Sequence, residues 1–130
     1  MDNLFLILWI IILLFIFSNL LQGLLQNSKY LKYQSFYGFN NKVAKDNENN
    51  WKFANKLNGR ILTIFSTVEF IIALTLFLVH LLHGFESKTT EYLILAVVLV
   101  IDFIFVILRI NIVNTQLARF VESNQKNLEE

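Results

Sequence analysis

Cysteine and proline are both absent from the 130 residues, and glycine occurs only four times. Without cysteine there is no disulfide and no thiolate metal site, and the redox compartment is left open. Without proline, no helix carries a built-in proline kink. Charge is scarce too: 16% of residues are Asp, Glu, Lys or Arg, and the net of +1 gives no ground for a nucleic-acid partner. No nucleophile with its base, phosphate loop or zinc-protease helix can be read, so neither enzymatic activity nor a bound cofactor is expected.

What the chain has instead is apolar length. Hydrophobic residues make up 55% of it, with 13 Phe. They gather into three runs of 22 residues, at 4–25, 61–82 and 92–113. About 20 apolar residues cross the hydrocarbon core as a helix, and lipid leaves the backbone no partner but itself. A soluble core helix rarely stays apolar so long, and three of them would leave too little polar chain to cover them. The expectation is an all-α integral membrane protein, a single membrane domain over 1–130 with three transmembrane helices. The first run follows only Asp2, with no basic segment before it and no small-residue cleavage site after it. It therefore reads as an uncleaved span.

Lys and Arg set the orientation. Lys29, Lys32, Lys42, Lys45, Lys52, Lys56 and Arg60 crowd the connection 26–60, whereas the second connection holds only Lys88. Arg109, Arg119 and Lys126 mark the C-terminal end. This places the N-terminus outside and the long connection and the tail 114–130 in the cytoplasm.

Within the long connection, Tyr30, Tyr33, Phe36, Tyr37 and Phe39 alternate with lysines. That composition suits a membrane interface, where rings sit among headgroups and lysines meet anionic lipid. Asp46 or Asn47 can cap a helix, with Glu48 favourable in its first turn. From there one long helix is expected from about 47 to 83, with Gly59 equally able to mark a bend. The short connection 84–90 predicts an antiparallel hairpin of the second and third spans. The third is expected to run on as a helix beyond the membrane through Asn111 and Leu117 to Gln125.

On a continuous second helix, Asn55, Gly59, Leu62, Ser66, Glu69, Ala73, Leu76, His80 and His83 follow alternating steps of four and three. That is a heptad seam, and Trp51 precedes it on nearly the same face. Gly59, Ser66 and Ala73 are the small residues that let membrane helices approach closely. Plain helix packing accounts for much of this stripe but not for Glu69.

Glu69 and Asp102 both fall about 12–17 Å from the cytoplasmic edge, by the helical rise of ~1.5 Å per residue. A charge at that depth costs at least ~2.5–3.5 kcal/mol. Arg109 shares a face with Asp102 and can snorkel outward or reach back as a counter-ion. A proton, ion or ligand site and a structural acid–base cluster are both open readings of this trio. His80 and His83, with Glu86 near, have the spacing of a metal pair but no third ligand fixed by spacing, so interfacial histidines are expected and no metal site.

The motif Gly38-Phe39, Ala44-Lys45, Asn47, Trp51, Ala54-Asn55-Lys56 and Gly59-Arg60, running directly into a span, resembles the signature of the SdpI family. That signature reads Gly-Tyr-Arg-Thr, a Lys-Asn pair, Trp, Ala-Asn with a basic residue, then Gly-Lys or Gly-Arg. The likeness covers 38–60, and Asn40-Asn41 stand where Arg-Thr is usual, without the Pro that often follows. The resemblance implies a non-enzymatic protein of the bacterial inner membrane. It would confer immunity to a secreted peptide toxin, or signal its presence by holding a cytoplasmic regulator at the membrane.

Gly38, Phe39, Trp51, Asn55, Gly59 and Arg60 would then form the binding face, with Trp51 in an interfacial slot and Asn55 bonded to loop backbone near Gly38. Two other readings stand beside it. One is a small proton- or cation-coupled transport component, a homo-oligomer or part of a larger assembly, using Glu69 and Asp102. The other is a structural subunit docked through the seam.

Overall fold

In the computed structural model, which describes residues 3–29, 31–36, 38–84 and 87–129, the chain is helical throughout its apolar length. Tyr30, Tyr37 and Glu86 lie outside the described residues. Helix α1 covers Asn3–Asn27, α2 Lys42–Lys45, α3 Glu48–His83 and α4 Lys88–Glu129. Three of these, α1, α3 and α4, are long and apolar enough to cross a membrane. Their outward faces carry large hydrophobic side chains such as Leu14, Ile71 and Phe103, exposed in a pattern that only lipid would tolerate.

The 36 residues of α3 extend about 54 Å, and the hydrocarbon core is only ~30 Å thick. The helix therefore overhangs the membrane at the end that carries Trp51 and Asn55. It begins at Asn47, whose side chain accepts from the Asn50 amide, one of the donors every helix start leaves unpaired. It passes through Gly59 unbroken, so the bend that glycine allows is not used. At the far end Gly84 stops it with φ at 69°, a conformation that glycine adopts without strain.

Helix α3 is the centre of the bundle, flanked by α1 and α4, both antiparallel to it. Its buried residues run Trp51, Asn55, Gly59, Leu62, Ser66, Glu69, Ala73 and His80, the heptad seam read from the sequence. Two seam positions depart from the expectation: Leu76 is half-buried and His83 is exposed. Facing this seam, α1 presents its own at the same spacing: Phe5, Trp9, Ile12, Ile16, Gly23 and Gln26 are buried. Gly23 and Gly59 mark where the two backbones touch. A Cβ on Gly59 would stand 2.7 Å from both Gly23 O and Asn27 N, and one on Gly23 would stand 2.8 Å from Thr63 N. Only glycine permits that approach.

Two apolar clusters close the ends of the bundle. At the end where α1 begins, Phe5, Trp9, Ile12, Ile16, Ala73, Leu95 and Val98 join all three long helices. Phe5 also packs edge-on against His80, at a centroid distance of 4.8 Å. At the opposite end, Phe39 and Ala44 of the connection pack with Ala54 of α3 and with Val113 and Leu117 of α4. Phe53 stacks on Phe120 at 4.2 Å, with the rings 6° from parallel. The extension of α4 past the membrane thus has a partner, which explains why it remains helical.

This second cluster departs from the expectation for 27–45. The segment is not only an interfacial string of rings and lysines, because its second half is packed against the start of α3 and the extension of α4. Asn41 makes this possible: its Oδ1 caps the short α2 by accepting from the Val43 and Ala44 amides, while its Nδ2 donates to Asn114 Oδ1 of α4 at 2.7 Å. Position 41, where the motif departs from its usual form, is a tie between connection and α4.

Candidate functional site

The motif residues of the long connection converge on Trp51 and Asn55, one helical turn apart on α3 and each only 2% exposed. Asn55 Oδ1 accepts from the Phe39 amide at 2.6 Å, in a buried bond, and its Nδ2 donates to Trp51 O at 2.9 Å. Asparagine suits this place because one side chain supplies both an acceptor and a donor. The Trp51 ring lies flush against Gly38: any Cβ there would overlap its six-membered ring. Tyr33 meets the same ring edge-on at 5.9 Å, and its hydroxyl donates to Lys45 O at 2.5 Å. Gly38, Phe39, Trp51 and Asn55 therefore form one lock that fastens the connection to α3.

Gly59 lies on the same face as this lock but serves the contact with α1. Arg60 turns away: it is exposed, next to Gly59 and off the seam. Beside Trp51 an open groove of about 430 Å³ runs between the end of α1 and the start of α3. Trp51, Lys52, Asn55 and Lys56 line one wall and Gln26, Ser28 and Lys29 the other. The groove is therefore basic, with Trp51 as its aromatic member.

One residue turn deeper lies a polar bridge that the sequence reading missed. Asn58 is fully buried, donates through Nδ2 to Gln26 Oε1 of α1, and accepts from Arg109 Nη1 of α4 at 3.2 Å. Three helices are thus tied by amide and guanidinium groups near the end of α1. Asn58 stands one position before the expected seam residue Gly59, and only the close crossing of α1 at Gly23 brings Gln26 to it. The α1 signal was present, since Gln26 follows Phe5, Trp9, Ile12, Ile16 and Gly23 at heptad spacing.

Deeper again, Glu69, Asp102 and Arg109 come together with Ser66 and Asn19 around a cavity of about 10 Å³. Among the described residues no ion pair joins Arg109 to either carboxylate; its guanidinium is directed outward to Asn58, the snorkelling option. At the far end of α3 the two histidines separate. His80 is buried with its Nε2 3.6 Å from Glu91 Oε1, and His83 is exposed. No cluster of metal-ligating side chains occurs among the described residues.

No curated protein and no solved structure matches the chain. A family model does: that of the SdpI/YfhL protein family matches residues 31–109, from the start of the connection through Trp51, Asn55, Glu69 and Asp102 to Arg109, and the chain belongs to that family.

Proposed function

We propose that this is a non-enzymatic protein of the bacterial cytoplasmic membrane, with its N-terminus outside and its C-terminus inside. In this reading it confers immunity to a secreted peptide toxin or relays the toxin's presence to a cytoplasmic regulator. Membership of the SdpI/YfhL family supports the class, and the lysine-rich connection supports the orientation.

The observation that carries the reading is the lock of Asn55 and Trp51 on Gly38-Phe39. A loop held by a buried side-chain bond and a flush ring is a defined surface rather than a tether. Next to it, the groove lined by Lys29, Lys52 and Lys56 is where the regulator docks, with an acidic or phosphate-bearing surface as its natural complement. The toxin meets the spans. A shift of α1 or α4 against α3 reaches the groove through the Gln26–Asn58–Arg109 bridge, because each of the three helices holds one member of it.

Deletion in the native host, followed by challenge with peptides secreted by its neighbours, tests this function. Heightened sensitivity that the intact protein reverses is expected. Unchanged sensitivity to every peptide, together with no co-purifying cytoplasmic protein, contradicts it.

A further inference from the structure

The polar middle of the bundle carries chemistry that the cytoplasmic lock does not use. Ser66 and Glu69 from α3, Asn19 from α1, and Asp102 and Arg109 from α4 line a cavity of about 10 Å³, roughly the room one water needs. Glu69 is 3% exposed, and its Oε1 has no hydrogen-bond partner. Asp102 lines the same cavity from α4. Two ionised carboxylates have only acceptors to offer each other, so a direct bond between them needs a proton on one.

The charges lead to the same count. Two carboxylates and one guanidinium sum to a single negative charge, and one added proton brings the cluster to zero, the state that hydrocarbon favours. The other groups facing Glu69 are neutral. Asn19 is the only polar contribution from α1, Ser66 lies on Glu69's own helix, and Asp102 and Arg109 are the charged groups from α4.

We propose that Glu69 and Asp102 form a proton-binding site inside the membrane, holding one proton between their two carboxyls beside a cavity sized for a single water. The proton comes from water and returns to water, and no other bond is made or broken. Its presence is felt at the cytoplasmic edge through Arg109. With the proton bound, the guanidinium donates outward to Asn58 Oδ1 at 3.2 Å. With it released, two negative charges draw Arg109 inward and the bridge to Gln26 loses its α4 member. This inference does not depend on the immunity reading, since it concerns proton occupancy and not a toxin.

Infrared spectroscopy of the full chain in lipid nanodiscs, taken across a pH series, tests it. The wild type is expected to show a protonated-carboxyl band that bleaches to carboxylate as pH rises. Glu69→Gln and Asp102→Asn should each abolish that band, because each leaves one carboxyl balanced by Arg109. The side-chain amide resonance of Asn58 should shift with the same midpoint in the wild type and stay fixed in both variants.

The proposal is overturned if no such band exists, or if the band survives both substitutions. It is overturned also if the band is abolished at constant pH on exchanging choline chloride for sodium chloride, which would mark an alkali-cation site. Should the variants fail to fold, the wild-type titration decides alone: an Asn58 amide that stays still while the band bleaches refutes the coupling.

Discussion

Asn55→Ala is the substitution whose consequence can be worked most directly from the structure. It removes the only acceptor of the Phe39 amide, in a position buried between α3 and the connection. Alanine fills less space and offers no oxygen, so the amide must remain unpaired or the loop must open to water. A buried donor left without a partner costs about 1–3 kcal/mol. Because ~1.4 kcal/mol is tenfold in an equilibrium, the local opening of 38–45 should become roughly 5- to 150-fold more frequent.

Hydrogen exchange in nanodiscs, followed on a peptide spanning 38–45, reads that change. Arg119→Ala serves as the control, since Arg119 is exposed on α4 and takes part in neither bond of Asn55. Protection should fall sharply in the Asn55→Ala variant and stay near wild type in the Arg119→Ala variant. If exchange in 38–45 is already fast in the wild type, or is unaffected by Asn55→Ala, the lock does not exist as described.

Other perturbations separate the contributions within the bundle. Gly59→Ala places a Cβ 2.7 Å from backbone atoms of α1 and should cost at least about 1–3 kcal/mol, measured by reversible unfolding in bicelles. Gly84→Ala has nothing within 4 Å and should show only the ~1–3 kcal/mol strain of a backbone conformation, φ 69° and ψ 173°, that glycine alone adopts readily. A double-mutant cycle on Phe53 and Phe120 should return a coupling of about 0.5–1.5 kcal/mol, and a value near zero would mean that the extension of α4 is not packed on α3. Lys52→Ala breaks an exposed pair with Glu48 and should shift stability by no more than ~0.5 kcal/mol.

The parts of this fold that could be read from sequence share a physical reason. Against a background of Leu, Ile and Phe, small and polar residues on one helix face stand out. The α3 seam from Asn55 to His80 was legible for that reason, and so was the pairing of Glu69 with Asp102 at one depth. The Asn47 start of α3 was legible because capping is local chemistry.

The α1 seam was harder to see, because Phe5, Trp9, Ile12 and Ile16 are as apolar as the lipid-facing residues beside them. Lipid supplies no contrast by which to distinguish buried from exposed. The bridge through Asn58 was invisible for another reason: it depends on how closely α1 crosses α3 at Gly23 and Gly59, a tertiary distance that no periodicity encodes. Helix α2 has four residues, too few for any pattern, and exists because Asn41 caps it while Ala44 finds a buried seat in the cluster with Ala54 of α3. The separation of His80 from His83 reflects the angle between adjacent seam positions near a helix end, where only the first still faces α1.

The central claim is that the connection, fastened to α3 by Asn55 and Trp51, is the working cytoplasmic face of the protein. Complementation of the deletion strain by variants expressed at equal membrane levels tests it most directly. Wild type and the exposed-site variant Arg119→Ala should restore resistance to the secreted peptide, while Asn55→Ala and Trp51→Ala should not. Full restoration by Asn55→Ala, with 38–45 shown to be open in that variant, would contradict the account.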